Sequence, residues 1–263
     1  MTAWWNKASE AEKNPTDPYS ALAAIYDQVM DHVNYRRWAL YVLKLARLHG
    51  ESPHRVLELS CGTGNLAQEL CFHGMHVLAC DASVAMIKRA VAKTYQPPHQ
   101  ALFWCSDMRR IALRRPVDMA LSLYDSMNYL LEERDWIETM RQIYHHLKPA
   151  GLFIFDVSTL HNSQETFAGY RHEERLSEGV YHRECYFDAG NHIQYNYFNI
   201  RLHGNATNTY SEIHRQRIRA LEEVTSLISR TPFRLVASYS DFTLRPGSEK
   251  ADRVHFVIQK AIL

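Results

Sequence analysis

The chain of 263 residues has almost no net charge: 30 Lys and Arg against 29 Asp and Glu leave +1. That balance gives no electrostatic reason to expect nucleic acid or an anionic membrane as partner. No apolar run approaches the roughly 20 residues that a spanning helix needs. The opening MTAWWNKASEAEKNP has no signal-like apolar block, so a cytoplasmic location is the expectation. The cysteines number five, an odd count with no CxxC pair, so neither a disulfide framework nor a thiolate zinc site is indicated. HExxH is absent although there are 15 histidines. The stretch Arg171-His172-Glu173-Glu174 reads as a solvated turn or strand edge, and no metal is expected. No internal repeat stands out. What remains is ordinary: 46% hydrophobic and 22% charged residues, enough chain to bury a substantial core. Cys61, Cys71, Cys80 and Cys105 lie in apolar contexts and are expected as small buried hydrophobes.

Residues 1–18 are polar and carry Pro15 and Pro18, a lead-in on which Trp4 and Trp5 are candidates to dock. Leu22, Ile25, Tyr26 and Val29, then Trp38, Tyr41, Val42, Leu45 and Leu48, recur at helical spacing. The spacing predicts two helices over 19–48, broken near 31–34, the second closed by Gly50. From residue 55 the rhythm changes. Strand-like runs at 55–60, 76–80, 101–105, 117–123 and 152–157 alternate with helical segments at 65–73, 83–93 and 132–147. This alternation predicts right-handed crossovers and a mostly parallel sheet. Residues 178–219 alternate with period two, with Asp188-Ala189-Gly190-Asn191 and His203-Gly204-Asn205 as turns, which predicts a meander of roughly three antiparallel strands. A helix at 221–229 and strands at 233–241 and 253–261 follow. The expected fold class is α/β, a Rossmann-like sheet with helices on both faces and an inserted antiparallel β cap. The expected division is an N-terminal helical segment or lid at 1–54, a binding domain at 55–160 and 220–263, and the cap at 161–219.

LELSCGTGNLAQEL, residues 57–70, joins a strand, a small-residue turn and a helix. Gly62-x-Gly64-x-x-Ala67 fits the fingerprint that holds a pyrophosphate on a helix N-terminus. Glu58 argues against that ligand. It would stand at the strand end close to the anion, and at short range two like charges cost about a few kcal/mol unless screened. A ligand with an ammonium group reverses the sign.

Glu58-Leu59-Ser60-Cys61-Gly62-Thr63-Gly64 resembles the first motif of class I S-adenosylmethionine-dependent methyltransferases, whose donor has an ammonium, a sulfonium and no phosphate. The resemblance implies a seven-stranded sheet and S-adenosyl-L-methionine as cofactor. It implies that Glu58 bonds the methionine amino group, directly or through water, and that the backbone at Ser60, Gly62 and Gly64 approaches the ligand. The family's usual first glycine is Ser60 here. Asp81, with Ala82 beside it, would accept the ribose hydroxyls, and Met86 would pack beside adenine with Ser83 as N-cap. Asp107 would accept from the exocyclic amine and the Met108 amide would meet a ring nitrogen. Leu123-Tyr124-Asp125-Ser126 resembles the segment that faces the transferred methyl. YSALAAIYD, residues 19–27, resembles the N-terminal element that covers the donor in small-molecule methyltransferases, with Tyr26 in that role. Read singly, Asp81 and Asp107 are equally strand-end caps, Glu58 a buried paired carboxylate, and Met86 and Met108 core. Four motifs in order over about 55–157 carry the resemblance.

For the acceptor, Tyr124 and Asp125 are catalytic candidates, and Asn128 and Tyr129 are placed to orient a nucleophile. Glu212-x-His214 puts two polar groups on one strand face, Glu212 toward the acceptor pocket and His214 as base. Tyr19, Tyr26, Tyr35 and Trp38 are candidates for an aromatic lid, where a sulfonium would gain ~1–2 kcal/mol from cation–π attraction. The inserted cap resembles that of methyltransferases acting on glycine or amino sugars. The expectation is N- or O-methylation of a small-molecule acceptor, with a homodimer carried as an open assembly. The alternatives are an RNA or protein methyltransferase, a non-catalytic S-adenosylmethionine-binding protein, and an NAD-dependent oxidoreductase, the last contradicted by Glu58 and Ser106-Asp107-Met108.

Overall fold

The computed structural model describes residues 15–93, 101–204 and 209–262. Trp4, Trp5 and the end of the His203-Gly204-Asn205 turn lie outside the described residues. In chain order the strands are β1 (Pro15–Thr16), β2 (Arg55–Leu59), β3 (His76–Asp81), β4 (Leu102–Cys105), β5 (Val117–Ser122), β6 (Leu147–Ser158), β7 (Arg171–Arg175), β8 (Gly179–Asp188), β9 (Ile193–Leu202), β10 (Thr209–Arg217), β11 (Arg234–Ser240) and β12 (Arg253–Gln259). The helices are α1 (Tyr26–Val29), α2 (Tyr35–Leu48), α3 (Asn65–Phe72), α4 (Val84–Ala92), α5 (Glu133–His146), α6 (Leu160–Glu165) and α7 (Leu221–Ser229), with 3₁₀ turns at Leu22–Ala24 and Ser126–Tyr129.

Seven strands form the main sheet in the order β11-β12-β6-β5-β2-β3-β4. β2 pairs in parallel with β3 on one side and β5 on the other. β12 lies antiparallel to both β6 and β11. Strand order reverses at β2, and a crevice opens at such a switch point beyond the carboxyl ends of the strands. Every residue of β5 is buried, as a central strand covered on both faces requires. On one face Trp136, Met140 and Ile143 of α5 and Val224, Leu227 and Ile228 of α7 pack on Leu57, Leu59, Phe153, Phe155 and Phe256. On the other, Trp38, Val42 and Leu45 of α2 and Leu66 and Leu70 of α3 cover Val56, Ala79, Leu121 and Ile154.

β7 to β10 form an antiparallel sheet of their own, joined at its edge by β1, which runs parallel to β10. Its inner face meets the N-terminal segment: Ala21, Leu22 and Ile25 pack against Tyr181, Phe198 and Ile200.

Four local expectations are corrected. The sequence spacing over 19–29 gives no continuous helix but a 3₁₀ turn and the single turn α1, because contacts from the cap hold this segment. The cap has four antiparallel strands rather than three: β7 is exposed along most of its length, so it shows no burial period. β6 begins at Leu147, not residue 152, through a register shift against β5. At that bulge a Cβ on Gly151 would lie 2.9 Å from two backbone oxygens, so only glycine fits. Cys105 is exposed, whereas Cys61, Cys71 and Cys80 are buried.

Candidate active site

The loop after β2 turns through three left-handed residues, Ser60 (φ 54), Gly62 (φ 55) and Gly64 (φ 80). Gly64 then serves as N-cap of α3. Ser60 thus takes the conformation expected of glycine, at a cost of about 1–2 kcal/mol for a residue with a Cβ. The Tyr26 ring lies over the loop, with its Cε1 3.6 Å from where a Gly62 Cβ would stand. Asp27 anchors it there: its carboxylate accepts from Thr63 Oγ1 at 2.5 Å and Asn65 Nδ2 at 2.9 Å, and pairs with Lys93 Nζ at 2.8 Å. Burial works against the Asp27 charge, but the bonds from Lys93, Thr63 and Asn65 hold its carboxyl below the usual range.

Two connected compartments meet at this loop. The inner one is lined by Glu58, Ser60, Gly62, Tyr26, Tyr35 and Trp38. The larger, about 760 Å³, is lined among others by Tyr19, Asp81, Met86, Met108, Leu123 and Tyr129. Tyr26, Ser60, Gly62, Leu123 and Tyr124 belong to both. The volume is within the range of small-molecule sites.

Glu58 is 4% exposed and its Oε2 has no hydrogen-bond partner. Burial, reinforced by the nearby Asp81 charge, pushes its pKa up to about 8. An orphaned buried carboxyl oxygen is costly unless a donor arrives, and an ammonium group meets that need. Asp81 Oδ2 accepts from Gly62 N at 2.9 Å and Oδ1 from Ser83 N at 2.8 Å, so both oxygens are fixed and each keeps a lone pair. Burial raises the Asp81 pKa as well. Ser83 caps α4 by accepting from Met86 N at 3.3 Å, and this sets Met86 into the cavity wall beside Ala82. Glu58, Asp81 and the loop therefore suit S-adenosylmethionine: a carboxyl oxygen that lacks a donor and a fixed carboxylate for paired hydroxyls.

The structure brings Tyr26, Glu58, Ser60, Gly62, Asp81, Ala82, Met86, Met108, Leu123, Tyr124 and Tyr129 to these compartments. Gly64 shapes the turn behind them. It does not bring Asp107. That carboxylate is held by Arg109, with Nε at 2.9 Å and Nη2 at 2.5 Å, and lines a separate cleft with Asp135 and Glu138. Asp125 is also set apart, although its neighbour Tyr124 faces the cavity. Tyr124 and Asp125 are both left-handed (φ 63 and 52). The Asp125 carboxylate accepts from Arg253 Nη2 at 2.9 Å and Gln216 Nε2 at 2.5 Å, while its amide donates to Asp156 Oδ2 at 3.0 Å. Asn128 is fully buried and spent on backbone, donating to Arg217 O at 2.9 Å and accepting from Ser158 N at 3.2 Å. Neither meets the expectation of an acceptor contact.

Glu212 and His214 stand behind the cavity wall rather than in it. His214 Nε2 is 2.9 Å from Glu212 Oε2, and its Nδ1 is 2.9 Å from the Tyr129 hydroxyl. Tyr129 is in turn 2.6 Å from the Tyr19 hydroxyl. The sequence reading also passed over Arg183, on the inward face of β8. Its Nη2 donates to Asn196 Oδ1 at 2.8 Å, the guanidinium lies 5.2 to 5.6 Å from the Phe167, Tyr170 and Phe198 rings, and Nε is buried without a partner. Its inward position, between Tyr181 and Cys185 in a strand of period two, was the available signal.

Residues 56–151 match the family model of a methyltransferase domain. A protein of Geobacillus sp. (strain WCH70) with a provisional methyltransferase name is 29% identical over 245 residues, 92% of this chain and 99% of the relative. Malonyl-[acyl-carrier protein] O-methyltransferase of Bacillus anthracis is 32% identical over 153 residues, 57% of this chain and 52% of the relative. An S-adenosylmethionine-dependent methyltransferase from Clostridium acetobutylicum ATCC 824 shares the fold, with a TM-score of 0.79 at 21% identity over 92% of this chain and 99% of that one. With a sheet that reverses at β2, an acid at the end of β2 and another at the end of β3, the chain carries a methyltransferase domain at 56–151 and has the fold of S-adenosylmethionine-dependent methyltransferases.

Proposed function

We propose that the protein transfers the donor's methyl group to a nitrogen or oxygen of a small-molecule acceptor. The observation that carries this reading is the roof of the site. Asp17, Pro18, Tyr19, Ser20 and Tyr26 of the N-terminal segment line the cavity from above, and that segment is packed under the cap. A site closed on this side suits a small molecule rather than a folded RNA or protein. Residues 161–219 act in this reading as the cap and 1–54 as the lid. The malonyl-carrier relative, by its name, methylates oxygen.

When bound, S-adenosylmethionine supplies an activated methyl on a sulfonium. The chain's part is to align and to exclude water. Glu58 holds the ammonium end in the inner compartment, and Asp81 holds paired hydroxyls at the other end. Tyr26, Tyr35, Trp38 and Tyr124 present aromatic faces between them, a setting for a desolvated cation. Arg183 adds positive charge on the cap side near Tyr124 and Tyr129.

The test is methyl incorporation from labelled S-adenosylmethionine into glycine, a nucleotide-linked amino sugar, and the malonyl thioester of an acyl carrier protein, run beside bulk tRNA and a mixed protein substrate. Label in at least one small acceptor and none in tRNA or protein is expected. The reverse pattern would replace this reading with the macromolecular one, and no label anywhere would leave a binding protein of the same fold.

A further inference from the structure

The lid and the cap meet at Glu212. Its Oε1 accepts from the backbone amides of Ala21 at 2.6 Å and Leu22 at 2.9 Å, and its Oε2 from that of Tyr19 at 2.7 Å. Three amides donate to one carboxylate that is 1% exposed, and the His214 ring closes its remaining position. Where His214 donates to Glu212 through Nε2–H and the ring is neutral, Nδ1 is an acceptor. Tyr129 must then donate to Nδ1, and Tyr19 must donate to Tyr129. The direction of every bond follows from that one tautomer, by the same logic that a buried carboxylate imposes on a catalytic histidine.

At the other end, the Tyr19 hydroxyl donates to Tyr129 and its oxygen keeps a lone pair, in a residue that lines the cavity. Tyr19 is held on all sides for this. Its φ is 63°, its carbonyl accepts from Ser83 Oγ at 3.1 Å, and its ring stands edge-on to His214, with centroids 4.6 Å apart. Burial, with Tyr129 beside it, keeps the Tyr19 pKa well above that of free tyrosine, and burial raises that of Tyr129 too, so both hydroxyls stay protonated between transfers.

We propose that Tyr19, Tyr129, His214 and Glu212 form a proton relay that runs from the acceptor pocket to the cap and is complete only when the lid is closed. This rests on the small-molecule reading above. The acceptor's X–H bond breaks with its electron pair left on X, and the proton passes to the Tyr19 oxygen. The Tyr19 proton moves to Tyr129, and that of Tyr129 to His214 Nδ1. The positive charge lost from the sulfonium reappears as an imidazolium facing Glu212, so charge balances. Tyr19 is the catalytic residue, while Tyr129, His214 and Glu212 act through it. Because Glu212 also binds the Tyr19 amide, a displaced lid removes the first hydroxyl from the chain, and the donor is not committed to an acceptor whose proton has no exit.

Two measurements test this. The first needs no acceptor: ¹⁵N NMR of histidine-labelled protein with S-adenosylhomocysteine bound, at pH 7.5. His214 is expected as the neutral Nε2–H form, with the Nδ1 resonance moving toward that of an unbonded acceptor in Tyr129→Phe. The Nδ1–H form, or an imidazolium at rest, would overturn the relay whatever the acceptor proves to be. The second uses whichever of the three small probes is methylated. Single-turnover transfer should fall about 10²–10⁴-fold in Tyr129→Phe, with S-adenosylhomocysteine affinity unchanged. An equal rate, or a loss matched by weaker binding, would reduce the four residues to a structural clamp. If no probe is methylated, the small-molecule reading fails there, and the NMR result still decides the direction of the chain.

Discussion

Replacing Glu58 by glutamine removes one buried charge and leaves the side chain's shape almost unchanged. In the ligand-free protein the carboxyl moves from 4.5 to about 8 because it is buried, with Asp81 adding to the effect. At 1.36 kcal/mol per tenfold change in proton affinity this is worth about 5 kcal/mol at most, of which about 3 kcal/mol is realised at pH 7. The sign follows from the raised folded value. The folded state binds this proton more tightly than the unfolded chain does, so the stabilisation is complete below pH 4.5 and is lost as the pH rises to about 8. Urea denaturation at pH 5 and pH 7.5 should therefore show wild type losing about 3 kcal/mol relative to Glu58→Gln, since the contribution of Asp81 is common to both. The ligand side is linked. An ammonium group beside Glu58 returns the carboxyl to its ionised form, so S-adenosylhomocysteine should expel close to one proton near pH 6–7 and bind almost tenfold tighter per pH unit there. Calorimetry in two buffers of different ionisation enthalpy measures that proton. Glu58→Gln should abolish the pH slope and weaken binding at pH 8 by about 10²-fold, the loss of about 3 kcal/mol from a charge-assisted contact. Parallel stability curves, or uptake without proton release, would refute the charge-matching argument.

Asp81→Asn should weaken S-adenosylhomocysteine by about 10²-fold in the same calorimeter, because one oxygen becomes a donor that repels both the Gly62 or Ser83 amide and a ligand hydroxyl; unchanged affinity would remove the hydroxyl assignment. Ser60→Gly relieves a left-handed residue at φ 54, and after glycine's greater backbone entropy loss it should stabilise the fold by up to about 1 kcal/mol with ligand affinity retained; a marked loss of affinity would show that the hydroxyl itself is needed. Arg253→Met leaves Asp125 and the buried Asp156 without the guanidinium that bridges them, which should cost about 3–5 kcal/mol at pH 7. The deficit should shrink at acid pH, where Asp125, whose pKa burial raises, takes up a proton, and urea denaturation at pH 7 and pH 4.5 reads both the size and the trend.

Much of the molecule was legible because its signals are local. Apolar runs alternating with helical spacing specify the parallel strands, since burial on two faces leaves its mark on consecutive residues. Glu58, Asp81 and Met86 fall at strand ends and a helix start, so their positions follow from the elements that carry them. Asp107 failed for a reason two residues away: Arg109 takes its carboxylate. Asp125 and Asn128 failed for distant reasons, because Arg253, Gln216, Arg217 and Ser158 claim them from elsewhere in the chain. β7 was missed as part of the cap because an exposed edge strand has no buried side to mark. Glu212 was placed on the correct strand face, yet its partners are three amides about 190 residues earlier.

The amino-acid order by itself determined the βα rhythm, the small-residue turn after β2 and the placing of two acids, Glu58 and Asp81, at strand ends. Tertiary structure alone decided which polar groups are spent on one another and which stay free for chemistry. Periodicity records whether a residue is buried. It carries no record of which distant donor meets a carboxylate, and that pairing separates an anchor such as Asp125 from Glu58, whose Oε2 no donor meets.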